Sequence, residues 1–169
     1  MGEIEIYKDN KKQQIIQNRM KILKIMIFTE GTIIGPRSLF QQFNHATYIP
    51  IGNSVSKTKE WKQQGAEILY LTSRKKMKHI KEITQILLNG SFAAGILYYR
   101  EGKEKYKDIV ESIKPDVLIE DNCRSIGGKW QMSITCVEAE IKSIIKSIVV
   151  KEFQGIDHLP SELSELLKY

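Results

Sequence analysis

Apolar stretches of strand length alternate with amphipathic stretches of helix length along most of this chain, and the connections between them are short. Strands are expected near 22–28, 67–71, 95–99, 116–120 and 147–153. A helix is expected after an opening at Ile49–Asn53, closed by Gly65. Further helices are expected over 75–88, 103–113 and near 138–145, with a short one ending the chain. Strands that alternate with helices over short connections need right-handed crossovers, which give an α/β fold with a parallel sheet. Ligands of such sheets gather outside the carboxyl ends of the strands. The unusual polar residues fall at those ends. Met26-Ile27-Phe28-Thr29 runs into Glu30-Gly31-Thr32, Leu69-Tyr70-Leu71 into Thr72-Ser73-Arg74, and Val117-Leu118-Ile119 into Glu120-Asp121.

With 169 residues the chain can form one well-packed core and not two. Residues 1–19 read as a polar extension, in which Ile4 and Ile6 alternate like a short strand, and 20–169 as a single domain. No apolar run approaches the ~20 residues of a membrane helix. The first twenty residues lack the apolar centre of a signal peptide, so the expected location is the cytoplasm. Cys123 and Cys136 match no metal-binding spacing and are expected as free thiols. The net charge of +6 permits an anionic partner without naming one. The basic cluster Arg74, Lys75, Lys76, Lys78 and Lys81 reads as a solvated helix face. No aromatic residues interleave with it, so nucleic acid is not the expected partner.

Taken in order, the strand ends resemble the four motifs of the haloacid dehalogenase-like (HAD) superfamily, most of whose members are phosphatases. Phe28-Thr29-Glu30-Gly31-Thr32 is similar to the first motif at Gly31 and Thr32 and by acid type at Glu30. Thr72-Ser73-Arg74 resembles the second, Lys107 the third (with Lys105 and Lys103 as rivals), and Glu120-Asp121 the fourth. The resemblance covers about 20–153. It implies a three-layer Rossmann-like sheet of order 5-4-1-2-3, with little or no cap domain because no large insertion separates the motifs.

It also implies a division of labour. Glu30 would act as acid/base. Gly31, Thr32, Thr72, Ser73, Arg74 and Lys107 would hold phosphoryl oxygens. Glu30, Glu120 and Asp121 would hold Mg²⁺, a hard cation that takes oxygen ligands. Asp157 and His158, after the last strand, would have a secondary part at the rim. The chain departs from the pattern at Phe28, where the family carries the aspartate that attacks phosphorus; a phenyl ring can neither attack nor bind a metal. Thr29 should point away from Phe28 and Glu30 along an extended strand. The expected function is therefore binding of a phosphorylated small molecule by a phosphohydrolase fold with a degenerate nucleophile position. Two alternatives stand beside it. One is a Mg²⁺-dependent phosphatase that uses activated water with Glu30 as base. The other is a scaffold or nucleic-acid-associated protein that kept the fold alone.

Overall fold

The computed structural model describes residues 22–38 and 44–169; the expected extension over 1–19 lies outside them. Five strands form one parallel sheet: β1 (Lys24–Phe28), β4 (Glu67–Leu71), β5 (Gly95–Tyr98), β6 (Val117–Asp121) and β7 (Lys146–Val150). Their spatial order is β5-β4-β1-β6-β7, with every neighbouring pair parallel. The apolar runs of β1, β4 and β6 are continuous because these strands are buried on both faces.

Helices cover both faces. The helices α1 (Ser54–Gln63) and α2 (Met77–Asn89) place Trp61, Ile83 and Leu87 against one side of the sheet. The helices α3 (Tyr106–Ile113) and α4 (Ala139–Ser143) flank the other, where Ile109, Val110 and Ile141 meet Met26, Leu69 and Leu118. The chain thus builds outward from β1 to β5, crosses over, and builds outward again through β6 and β7. The strand order reverses between β1 and β6, which is where such sheets open a crevice for ligands. Among the described residues no helix is long and apolar enough to cross a membrane.

Two elements differ from the sequence reading. Ile49–Pro50 does not open a helix. It forms β3, antiparallel to β2 (Ile34–Gly35), and α1 begins only at Ser54. This pair forms because the chain turns sharply after β1: the N–H groups of Ile33 and Ile34 both bond Thr29 O, and Ile51 N–H bonds Ile33 O. The last strand stops at Val150, not 153. Phe153 adopts φ +60° and gives its N–H to Gly31 O at 2.7 Å, so the chain leaves the sheet to brace the turn after β1.

The C-terminal segment, including α5 (Leu163–Leu166), is fixed to the body by Trp61, which is fully buried and donates its indole N–H to Pro160 O at 3.0 Å. Replacing it with alanine removes its packing and this one bond, while Lys57 and Gln64 still bond Ser161 and Leu163. Trp61→Ala should lower unfolding free energy by roughly 3–5 kcal/mol, read from urea melts. A loss below about 1 kcal/mol would mean that the terminal segment does not depend on this contact.

Candidate functional site

The turn after β1 needs Gly31. Its φ is +83°, and a Cβ there would meet Asp121 Oδ2 at 2.6 Å, so only glycine lets the β1 turn approach the end of β6 this closely. The same edge carries the loop after β4. Between them lies a cleft of ≈ 300 Å³ whose walls include Phe28, Glu30, Ser73, Arg74, Arg100, Tyr106, Asp121 and Glu152.

Phe28 forms part of the cleft floor. Its ring is buried and meets Tyr106 edge-on, with ring centres 5.2 Å apart. Glu30, beside it, is almost completely enclosed. Its Oε1 accepts from Thr72 Oγ1 at 2.8 Å, Ser73 Oγ at 2.9 Å and Arg74 Nε at 2.8 Å. Its Oε2 accepts from Thr29 Oγ1 at 2.5 Å and Ser73 N–H at 3.3 Å. A carboxylate offers about four lone-pair positions, so these donors leave none for another partner. Burial pushes the Glu30 carboxyl up, but the bonds from Thr29 and Thr72 and the charge of Arg74 outweigh it and hold Glu30 below its ordinary range.

Arg74 is itself fully engaged. It donates to Ser73 Oγ as well as to Glu30, and its Nη1 lies 2.9 Å from His45 Nε2. A guanidinium can only donate, so that ring nitrogen accepts and His45 is neutral. Burial first, and Arg74 second, keep His45 below its ordinary value. Arg100 supplies the second cation of the cleft. Its guanidinium stacks 3.7 Å above the Tyr106 ring.

Of the residues expected from sequence, Glu30, Gly31, Ser73, Arg74 and Asp121 line the cleft. Thr72 stands behind it, bonded to Glu30, and Thr32 Oγ1 lies 3.4 Å from Asp121 Oδ2. The structure places the others elsewhere. Lys107, on α3, is 3.5 Å from Glu111 and 3.9 Å from Asp108 and does not border the main cleft. Asp157 accepts from Asn53 N–H at 2.7 Å and so caps the start of α1, while His158 is exposed beside Tyr169.

The expected metal triad does not assemble. Neighbouring residues of a strand project to opposite faces. Glu120 therefore turns toward α3 and α4, where its carboxylate takes the N–H groups of Ser133 at 2.6 Å and Ile134 at 3.0 Å. Asp121 turns toward Gly31 and takes Cys123 N–H at 2.7 Å. Among the described residues no group of three or more His, Cys, Asp or Glu side chains is placed to hold a metal ion. Burial raises the carboxyls of both Glu120 and Asp121.

Several lining residues were not anticipated: His45, Tyr48, Arg100, Tyr106, Cys123 and Glu152. Thr29 was expected to point away from Glu30 and instead binds its carboxylate, since the strand ends at Phe28 and the pleat no longer governs it. Arg100 carried a readable signal, as the first charged residue after the third strand of the sheet. His45 opens a single 3-10 turn (His45–Thr47) too short to leave a periodic pattern, and carried none. Burial, with Asp121 and Glu120 nearby, pushes the Cys123 thiol up to about 12, which favours its protonated form.

Neither a family model nor a curated protein sequence matches the chain. Among solved structures it is similar to an uncharacterized protein from Listeria monocytogenes serotype 4b. The identity is 15%, 87% of this chain and 99% of that chain are covered, and the TM-score is 0.50. Two other structures are D,D-heptose 1,7-bisphosphate phosphatases, each 10% identical with a TM-score of 0.46. One is from Burkholderia thailandensis (78% of this chain, 94% of that one). The other is from B. bronchiseptica, complexed with magnesium and phosphate (79% and 94%). At 15% identity the likeness to the Listeria protein is one of fold alone. The phosphatases superpose less well, and their activity does not transfer to this chain.

The two buried glutamates should affect acid stability with opposite signs. The native pKa of Glu30 is lowered, so its stabilising contribution is complete above the ordinary 4.5 and is lost as pH falls through the lowered value. The native pKa of Glu120 is raised, so its contribution falls as pH rises from the ordinary 4.5 toward the raised value; Asp121 shares that sign from 3.8. In urea melts between about pH 3 and 8, Glu30→Gln should flatten the acid side of the stability profile, and Glu120→Gln should flatten the fall on the other side. Identical profiles for both variants and wild type would contradict these environments.

Proposed function

We propose that this chain is a small HAD-like phosphohydrolase-fold protein, with little or no cap, that binds a phosphorylated small molecule without forming an aspartyl-phosphate. The observation that carries this reading is the pair Phe28 and Glu30. Phe28 presents no oxygen to phosphorus. Glu30, which could have served as acid or base, is saturated by hydrogen bonds, and its depressed pKa makes it a weak base. That also counts against the water-activating phosphatase, which would need a free Glu30 lone pair facing the water.

The cleft supports binding of an asymmetric ligand. Arg100 offers a cation over Tyr106, and Arg74 and Ser73 continue that wall. Asp121 and Glu152 also line the cleft and offer acceptors. A phosphate monoester with hydroxyl or amino groups matches both kinds of lining, the phosphate against Arg100 and the donors against the acids. Mg²⁺ does not fit this donor set well. The Glu30 oxygens are occupied, Glu120 is turned away, and Asp121 and Glu152 remain without a third acid. A cationic guanidinium already neutralises Glu30.

A panel of phosphate monoesters tested by calorimetry and by phosphate release should show binding without turnover, unchanged by Mg²⁺. Arg100→Ala should weaken that binding roughly 10- to 100-fold, as expected for loss of a charge-assisted bond. Mg²⁺-dependent phosphate release that disappears in Asp121→Asn would overturn the reading in favour of an enzyme.

A further inference from the structure

The loop Thr72-Ser73-Arg74 presents a hydroxyl, a second hydroxyl, a backbone N–H and a guanidinium N–H to one small volume. That is an arrangement for an oxyanion, and it already holds one. The anion comes from the chain itself: the Glu30 carboxylate accepts from all of these groups, and Thr29 on its own segment adds a further bond. The guanidinium is also locked from behind, by Ser73 Oγ and His45 Nε2. The donors therefore keep their positions without help from Glu30 alone.

We infer that Glu30 is a built-in competitor for this oxyanion cradle, so that a phosphoryl group reaches the cradle only when the Glu30 carboxylate leaves it. The inference concerns the cleft of the proposed function but does not require that wild-type protein binds a phosphate ester. Three features support it. The bonds to Oε1 are all 2.8–2.9 Å, as for charge-assisted contacts to a bound anion. These donors come from the loop after β4, whereas the anion comes from the turn after β1, so the contact crosses between segments and can be broken without unpairing the sheet. The cleft also borders Glu30, which leaves space for the side chain to vacate the cradle. The cradle would bind a tetrahedral oxyanion about as well as any loop of this composition, but the tethered carboxylate holds it at high effective concentration. Apparent affinity is divided by the fraction of molecules in which the cradle is empty.

The test compares inorganic phosphate binding to wild type, Glu30→Ala and Glu30→Ala/Arg74→Ala by calorimetry. Emptying the cradle should tighten phosphate binding about tenfold or more in Glu30→Ala, and the double variant should lose that gain. Equal affinities in wild type and Glu30→Ala would overturn the inference. If Glu30→Ala is too unstable to isolate, thermal melts of Glu30→Gln in graded phosphate replace it. A phosphate-dependent rise in Tm larger than that of wild type supports the competitor, and an equal rise refutes it. Phosphate ester binding by wild type is read separately. Its absence together with a gain in Glu30→Ala would sink the proposed function and leave this inference standing. The converse would do the opposite.

Discussion

The Glu30 carboxylate ties together two segments that leave neighbouring strands at this edge: the turn leaving β1 and the loop leaving β4. A buried charge without partners would cost several kcal/mol, so the position is tolerable only with a full set of donors. That requirement propagates outward. Thr72 must present its hydroxyl, Ser73 must expose its N–H, and Arg74 must fold back over the loop, where His45 and Ser73 hold it. Arg74 is then no longer free to reach far into the cleft, and Arg100 becomes the cation best placed for an incoming anion.

A second constraint is steric. The Asp121 carboxylate lies against Gly31, where a Cβ would meet it at 2.6 Å. Phe153 N–H reaches the same turn from the segment after β7, bringing Glu152 to the cleft wall. Glu152 is held in turn by Ser125, through Oγ at 2.6 Å and N–H at 2.9 Å. Five chain segments thus converge on one edge because their parallel strands all end there. This is why polar residues scattered over 120 positions of sequence share a cleft of ≈ 300 Å³.

The strands were legible because a strand buried on both faces must be apolar throughout, and Ile25–Phe28, Ile68–Leu71 and Val117–Ile119 are. The grouping of Glu30, Ser73, Arg74 and Asp121 followed from parallel topology alone. The divergence of Glu120 from Asp121 was also legible in the sequence. Two consecutive residues in a strand face opposite sides, and the same alternation that buries Leu118 with α3 sends Glu120 there. Lys107 was likewise readable as a helix-surface residue, since Glu111 follows at i+4 on α3. By contrast, the enclosure of Glu30 could not be read from sequence. It depends on side chains from both segments taking particular rotamers around one carboxylate, and the composition of the Thr72-Ser73-Arg74 loop serves an external oxyanion equally well.

Phe28 and the Glu30–Arg74 pair can be understood as one change. An anionic side chain at position 28, next to a glutamate and facing an anionic ligand, would need a cation to let the charges coexist. A phenyl ring removes that need and adds an apolar floor, packed edge-on against Tyr106. Only one carboxylate is then left on the β1 turn, and a protein cation suffices to balance it. Arg74 supplies that charge from a covalently fixed position, where it also donates a directional hydrogen bond. Glutamate also suits this arrangement better than aspartate would. The extra methylene carries the carboxylate beyond the β1 turn and into the β4 loop, where an aspartate at position 30 would stop short of the Thr72 and Ser73 hydroxyls. The apolar residue at 28 thus leaves Glu30 as the acid of this turn, and the Arg74 guanidinium 2.8 Å away balances its charge.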